Sequence, residues 1–133
     1  MRKTAATMGI NINDSQQSFT GQILRCEKSV ETRSTRSLDA YIGRVVGIVR
    51  TGVGPATLVG YATLGAPILY PSAAAFDADA SKHLVSVGNT HHISVSSTGV
   101  KWGYPISNVT SLKKPVRINT RGIVSRRITI ATV

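Results

Sequence analysis

The chain has 133 residues, which is enough for one domain and too few for two independent hydrophobic cores. Sixteen Lys and Arg stand against six Asp and Glu, so the formal charge is +10. The scarcity of carboxylates excludes an acid-rich calcium site and a di-metal carboxylate enzyme, and the positive balance favours a polyanionic partner, RNA or DNA ahead of an acidic membrane surface.

Val, Ile and Thr make up 40 of the 133 residues, and this enrichment in β-branched side chains favours strands. Apolar residues alternate from Met8 to Ile12 and predict a half-buried strand. A short helix is predicted from about Ser15 to Glu27, because Phe19 and Ile23 are four residues apart and Asp14 suits an N-cap.

The middle of the chain has the pattern of strands. Val30–Arg33 is predicted as a strand with Glu31 and Arg33 on one face, since side chains alternate along a strand. Arg44–Thr51 and Ala56–Leu64 are predicted as the two strands of a hairpin, joined by a turn at 52–55.

The remaining elements are shorter. Pro67 and Pro71 indicate an irregular loop, and Asp77 is expected to cap a helix from about Ala78 to Val87. Further strands are predicted over His91–Ser96 and Val100–Ile106, and near Val116 and Ile128. The whole is expected to be a mainly β (α+β) domain with two or three short helices, closed as a small barrel to remove its edges.

The positive charge is concentrated in the last 54 residues, which carry eight basic residues and no acid. These residues are Lys82, Lys101, Lys113, Lys114, Arg117, Arg121, Arg126 and Arg127. Each phosphate contact by such a residue releases a condensed counterion, so this half is expected to contact a nucleic-acid backbone without sequence preference. A small basic protein that merely stays soluble is the alternative.

One segment resembles a known family. Residues 23–33 read I-L-R-C-E-K-S-V-E-T-R, which resembles the signature of the ASCH domain, a relative of the PUA domain. In that family a helix ends in Gly-x-Lys and is followed by x-x-Glu-x-Arg on a strand. Lys28, Glu31 and Arg33 match this pattern, whereas Cys26 stands where the family has glycine.

The resemblance extends downstream. The run K-W-G-Y-P-I-S-N-V at 101–109 resembles the family's aromatic-Trp stretch, and Leu112 and Pro115 resemble the Leu-x-x-Pro that follows it. It therefore covers about residues 8–131 of a single ASCH-like domain spanning 1–133, and it implies a PUA-like β-barrel with a cleft beside the first helix. Such domains are proposed to bind RNA or modified nucleosides in that cleft. One branch removes the acetyl group from N4-acetylcytidine, and some members are described as ribonucleases.

Lys28, Glu31 and Arg33 are the predicted centre of the cleft. The Glu31 carboxylate would hold the Lys28 ammonium in place, leaving Lys28 as a phosphate contact or an electrophilic donor. Glu31 would accept a hydrogen bond from an exocyclic amine, and Arg33 would clamp a phosphate with its guanidinium fork. An ordinary local ion pair of little consequence is the alternative.

Five further residues are candidate ligand contacts: Arg25, Arg44, Lys101, Trp102 and Tyr104. A base would stack on an exposed aromatic ring while Lys101 meets its phosphate. For Trp102 a place in the core is the favoured interpretation, and for Tyr104 both interpretations stay open.

Catalysis is left undecided by the sequence. If the protein is an enzyme, Lys28 and Glu31 are the candidate catalytic residues. In the amidohydrolase branch a threonine stands three residues after the lysine and a distant glutamate completes the site, but this chain has Glu31 there and no later glutamate. The first hypothesis is therefore an RNA- or nucleic-acid-binding domain. The alternatives are a small hydrolase of a modified nucleoside or of RNA, and an accessory domain for an acidic protein partner.

The remaining predictions concern ions and compartment. Cys26 is the only cysteine, which excludes an internal disulfide and favours the cytoplasm. The prolines and glycines between 51 and 76 argue against a membrane span. No metal and no cofactor are expected, because His83, His91 and His92 lack a carboxylate-rich neighbourhood, although a general-base role for one of them in RNA cleavage stays open. The oligomeric state is left open.

Overall fold

The computed structural model describes residues 7–128, which form seven strands and three α-helices. In chain order these are β1 (Met8–Asn13), α1 (Phe19–Leu24), β2 (Val30–Arg33), β3 (Val45–Thr51), β4 (Thr57–Leu64), β5 (Ile68–Tyr70), α2 (Ala73–Ala78), α3 (Ala80–His83), β6 (Lys101–Arg117) and β7 (Ser125–Arg127). Two 3₁₀ turns span Asp39–Tyr41 and Ile93–Val95. No helix among these residues has the length and hydropathy that a bilayer crossing requires.

The strands form one curled sheet in the order β2-β6-β4-β3-β1-β7, and β5 also pairs with β6. The β1–β3 pair is parallel and the other pairs are antiparallel. The expected mainly β, barrel-like fold with a few short helices is confirmed, as is the hairpin of β3 and β4. Among the described strands the hydrogen-bonded path does not close between β2 and β7, so the sheet is a half-barrel with an opening along one side.

Buried apolar residues pack on both faces of the sheet. The inner face carries the main hydrophobic core, to which β1 contributes Ile10 and Ile12. The outer face carries a smaller cluster of Val49, Leu58, Ile118 and Ile128. The prediction that β1 is only half-buried is therefore wrong, because Gly9 and Asn11 on its second face are also buried. Gly9 lies against Val49 and Ile128, and Asn11 lies against the loop at 122–124.

The longest strand, β6, joins two of the predicted strands into one. Its first part pairs with β2 and β5, and its second part pairs with β4. Leu58 pairs with Val116 whereas Gly60 pairs with Ser111, so residues 112–115 bulge out of the ladder. The strand predicted near Val116 is therefore the end of β6, and the strand predicted near Ile128 is β7, which ends one residue earlier.

The first helix is shorter than predicted. Instead of capping a helix at Ser15, the Asp14 carboxylate accepts hydrogen bonds from both the backbone N–H and the hydroxyl of Thr20. These bonds hold the intervening residues as a loop, so α1 begins at Phe19. The chain leaves the helix at Cys26, which adopts a left-handed conformation with φ +60°.

Three other predictions between residues 67 and 96 are wrong. The segment between Pro67 and Pro71 contains strand β5 rather than a wholly irregular loop. The single helix expected over Ala78–Val87 is replaced by α2 and α3, because the Ser72 hydroxyl caps α2 by accepting from the Ala75 N–H. The predicted strand His91–Ser96 contains a 3₁₀ turn, which His92 caps with its ring.

Candidate ligand-binding cleft

A cleft of about 300 Å³ lies in the opening of the half-barrel. Its walls come from β1, α1, β2, the end of β3, the start of β6 and four loops, and its residues are largely polar or charged. It is lined by Asn11, Ile12, Asn13, Phe19, Lys28, Glu31, Thr32, Arg33, Ser34, Thr51, Val85, His91, Lys101 and Ile123.

Glu31 lies at the centre of the charged groups. Its Oε1 atom is 3.8 Å from Lys28 Nζ, and its Oε2 atom is 3.1 Å from Arg33 Nη2. The alternation of side chains along β2 places Glu31 and Arg33 on one face, and Lys28 reaches the same point from the end of the preceding loop. The structure thus brings together the three residues that the sequence predicted as a cluster.

Lys28 is almost completely buried. Its ammonium donates to the backbone oxygen of His83 and lies 4.6 Å from the centre of the Phe19 ring. Burial lowers the pKa of Lys28 to about 8, although the nearby Glu31 carboxylate opposes this change. The amine therefore loses its proton around pH 8, well below the range of an ordinary lysine.

Arg33 and Lys101 complete the positive side of the cleft. The Arg33 side chain reaches from β2 to β1 across the opening of the half-barrel. Its Nη2 donates to the backbone oxygen of Asn11 over 2.8 Å. Lys101 Nζ donates to Ser34 Oγ over 3.1 Å, the one hydrogen-bond acceptor that residues 7–128 give it. Burial lowers the pKa of Lys101 below its ordinary value, and Glu31 opposes this. Lys101 thus has N–H groups left for a ligand.

His91 is a cleft residue for which the sequence analysis left only a general-base role open. Its ring lies edge-on to Phe19, with 6.2 Å between the ring centres. Burial and, secondarily, the charge of Lys101 lower its pKa below the ordinary value, so the ring is neutral at pH 7. Neither ring nitrogen has a hydrogen-bond partner within the described part of the chain.

The opposite rim is formed by the loop before β7. The Asn11 side chain donates to the backbone oxygens of Gly122 and Ile123, and its own oxygen accepts from Arg126 Nε. Asn11 thereby fixes the loop, with the Ile123 side chain 96% exposed beside the cleft. No pattern in the sequence pointed to Asn11 or Ile123, because their roles depend on a contact between distant segments.

Two predicted contact residues lie outside the cleft. Arg25 is exposed at the end of α1 and forms an ion pair with Glu27, with 3.0 Å between Nε and Oε2. Arg44 is exposed just before β3. The structure does not bring either residue to Lys28, Glu31 and Arg33.

The two predicted aromatic contacts belong to the body of the domain. Tyr104 is fully buried, and its hydroxyl donates to Asp39 Oδ1 over 2.7 Å. Burial, with help from that bond, raises the pKa of Tyr104 to about 12. Stacking of a base on Tyr104 is therefore a wrong prediction, because the ring has no free face. Trp102 packs against the main core and beneath the guanidinium of Arg36, in agreement with the favoured core interpretation.

The other two histidines hold helices in place. His83 Nε2 lies 2.8 Å from the backbone oxygen of Phe76, and its Nδ1 accepts from the Val85 N–H, so the ring is neutral. His92 Nε2 is 3.2 Å from Asp77 Oδ1. Within residues 7–128 no three His, Cys, Asp or Glu side chains are grouped closely enough to hold a metal ion.

The comparisons with known proteins identify the fold. No family model and no curated protein matches the sequence. A crystal structure of ASCH from Zymomonas mobilis is similar with a TM-score of 0.64 and 14% identity, over 84% of this chain and 73% of that chain. A serine-to-alanine mutant of the same protein is similar with a TM-score of 0.71 and 14% identity, over 92% of this chain and 87% of that chain. The chain therefore has an ASCH-like fold, as the resemblance in its sequence implied.

Proposed function

We propose that the domain binds single-stranded RNA and that the cleft takes one of its phosphates. The observation that carries this proposal is the charge of the cleft, where Lys28, Arg33 and Lys101 surround the single carboxylate of Glu31. The surplus of positive charge attracts an anion, and the free N–H groups of Lys101 provide donors for it.

The size of the cleft favours an unpaired strand over a duplex. A volume of about 300 Å³ corresponds to a small ligand rather than to a double helix, which proteins read across broad surfaces. The exposed lysines of the β6 bulge, Lys113 and Lys114, add positive charge outside the cleft. Together these features support a binding domain that fixes one nucleotide and contacts the rest of the strand through its charge.

One observation favours a second candidate function, hydrolysis of a modified nucleoside such as N4-acetylcytidine or of RNA itself. Lys28, with its pKa of about 8, and neutral His91 line the same cleft. A lysine with a lowered pKa and a neutral imidazole are suited to proton transfer during a reaction. The amidohydrolase pattern is matched only at Lys28, which makes this the weaker of the two proposals.

The test is the affinity for a short single-stranded RNA in wild-type protein, Lys101→Ala and Lys82→Ala. We expect Lys101→Ala to weaken binding by about tenfold or more, since a charge-assisted hydrogen bond contributes roughly 1.5–3 kcal/mol. Lys82 is the matched control, because it lies outside the cleft and its Nζ is 3.8 Å from Asp79 Oδ1. Its substitution should change the dissociation constant less than about threefold.

The same samples distinguish the two candidate functions. Intact RNA after incubation, with binding lost in Lys101→Ala, supports the binding domain. RNA that is shortened, or N4-acetylcytidine that is turned over, by wild-type protein and not by Lys28→Ala would move the assignment to the hydrolase. Equal RNA affinity in wild-type protein and Lys101→Ala would contradict the proposed site.

A further inference from the structure

Ile123 has an unusual position for a large apolar side chain. It is 96% exposed, yet it lines the cleft and its loop is held in place. Asn11 makes three hydrogen bonds to this loop, from its side chain to the oxygens of Gly122 and Ile123 and from its backbone N–H to the oxygen of Val124 over 3.0 Å. Burial of such a side chain is favourable, and this contribution is not gained in the unliganded protein.

His91 lines the same cleft with a ring whose hydrogen-bonding groups are available to a ligand. Its neutral ring has one N–H donor and one nitrogen acceptor, and within residues 7–128 neither is engaged. The Phe19 ring, against which it lies, is buried and supports the imidazole from behind. The cleft therefore has uncharged recognition groups in addition to its cations.

The two kinds of group restrict the ligand. The cations Arg33 and Lys101 require a ligand with an anionic group. Ile123 requires that the ligand also have an apolar surface to cover it, and His91 requires that it have an uncharged edge with hydrogen-bonding groups. A nucleotide combines all three, because a nucleobase has an apolar face and an edge of donors and acceptors next to a phosphate. A sugar phosphate lacks the apolar face, and a fatty acid lacks the polar edge.

We propose that the cleft holds one unpaired nucleotide, with its base against Ile123, the edge of the base hydrogen-bonded to His91, and its phosphate at Lys101 and Arg33. This inference rests on the proposed RNA binding and specifies which part of the RNA enters the cleft. Ile123 and His91 are thus specificity-determining residues, and Lys101 and Arg33 provide affinity for any phosphate.

The test compares ligands that share a phosphate and differ in the base. Isothermal titration calorimetry of the full chain with AMP, GMP, CMP, UMP and ribose 5-phosphate gives the ratio of affinities. We expect at least one of the four nucleotides to bind about tenfold more tightly than ribose 5-phosphate, because the base covers Ile123 and removes its apolar surface from water. Ile123→Ala and His91→Ala should each reduce this ratio, by weakening the binding of the nucleotide more than that of ribose 5-phosphate.

Two controls make the comparison specific. Val87→Ala removes another exposed aliphatic side chain, 82% exposed and outside the cleft, and should leave the ratio as in the wild type. His91→Gln retains a donor and an acceptor, so it should preserve more of the ratio than His91→Ala does, and it guards against a loss of structure at this half-buried position.

The outcomes separate this inference from the proposed function. Equal affinity for ribose 5-phosphate and for all four nucleotides, with RNA binding still dependent on Lys101, would overturn the inference and leave RNA binding in place. A ratio that survives both Ile123→Ala and His91→Ala would also overturn it. No binding of nucleotides or of RNA by the wild-type protein would overturn both proposals.

Discussion

Lys28 is the residue whose chemistry is most changed by the fold. Its pKa falls from an ordinary value of 10.5 to about 8 because the ammonium is buried. Between these two values the unfolded chain binds more protons at this position than the folded chain does. The free energy of unfolding therefore increases as the pH rises through this range.

We expect the burial of Lys28 to contribute an increase of about 2 kcal/mol in the free energy of unfolding between pH 8 and pH 10, since one pKa unit corresponds to about 1.4 kcal/mol. The raised pKa values of buried tyrosines such as Tyr70 and Tyr104 oppose this increase as the pH approaches 10, so the difference between wild-type protein and the variant isolates the lysine. Lys28→Met should flatten this increase and also weaken RNA binding at pH 7. Urea unfolding at several pH values measures the effect. Lys101 shifts in the same direction, so a small remaining slope is expected in the variant. An undiminished slope in Lys28→Met would contradict the assigned protonation change.

Among the cleft residues, the sequence predicted the ones that contact residues close to them in the chain. Glu31 and Arg33 share a face because they are two residues apart on one strand, and Lys28 is close to them in the chain. His91 and Ile123 reach the cleft from loops far away in the sequence, and no local period indicates such a meeting. Tyr104 was misplaced for a related reason, because alternation alone does not tell which face of a strand is covered.

At the scale of elements, two glycines show how differently the same change affects a strand and a helix. A Cβ atom at Gly60 in β4 would lie 2.4 Å from the backbone oxygen of Thr110 in β6. A Cβ atom at Gly21 in α1 would meet the Ser18 hydroxyl at 2.9 Å and the end of the Arg25 side chain at 3.0 Å, both of which rotate away easily.

Gly60→Ala should therefore lower the free energy of unfolding by about 2 kcal/mol or more, because the strand backbones must separate. Gly21→Ala should instead raise it by up to about 1 kcal/mol, since alanine favours a helix more than glycine does. Chemical denaturation of the two variants measures both values. A similar loss of stability in the two proteins would contradict the close approach of β4 and β6 at Gly60.

The accuracy of the predicted elements follows from where their ends are determined. β2 begins and ends as predicted, and β3 and β4 differ from their predicted ranges by one residue, because alternation and turn residues lie within the strands themselves. The helix ends depend on side chains that find partners elsewhere, such as Asp14 with Thr20. Such bonds are made by the folded chain and are not visible in a local pattern.

For the whole molecule, the distribution of charge predicts how RNA affinity depends on salt. Lys113 and Lys114 are exposed on the β6 bulge and lie outside the cleft. Each phosphate neutralised on a single strand contributes about −0.7 to the slope of log affinity against log salt. The double substitution Lys113→Gln with Lys114→Gln should therefore reduce the slope by about 1.4 and preserve the preference for nucleotides over ribose 5-phosphate.

The control for this measurement is Arg25→Gln, which removes an exposed positive charge already paired with Glu27. Its slope should stay close to that of the wild type. An unchanged slope in the double lysine variant would mean that the bulge does not contact the RNA backbone.

The length and the pairing of β6 also determine when the protein acquires its structure during synthesis. Val30 pairs with Pro105, and Thr57 pairs with Arg117. The pairing of β2 and β4 with β6 therefore forms only after β6 has left the ribosome. The pairing of β1 with β7 likewise forms only after Ser125–Arg127 has been synthesised. Contacts so distant in sequence slow folding and leave the nascent chain exposed to aggregation. The cleft, whose walls include β1, β2 and β6, is thus assembled only after β6 has been synthesised, and a prematurely terminated chain that lacks β6 has no complete ligand site.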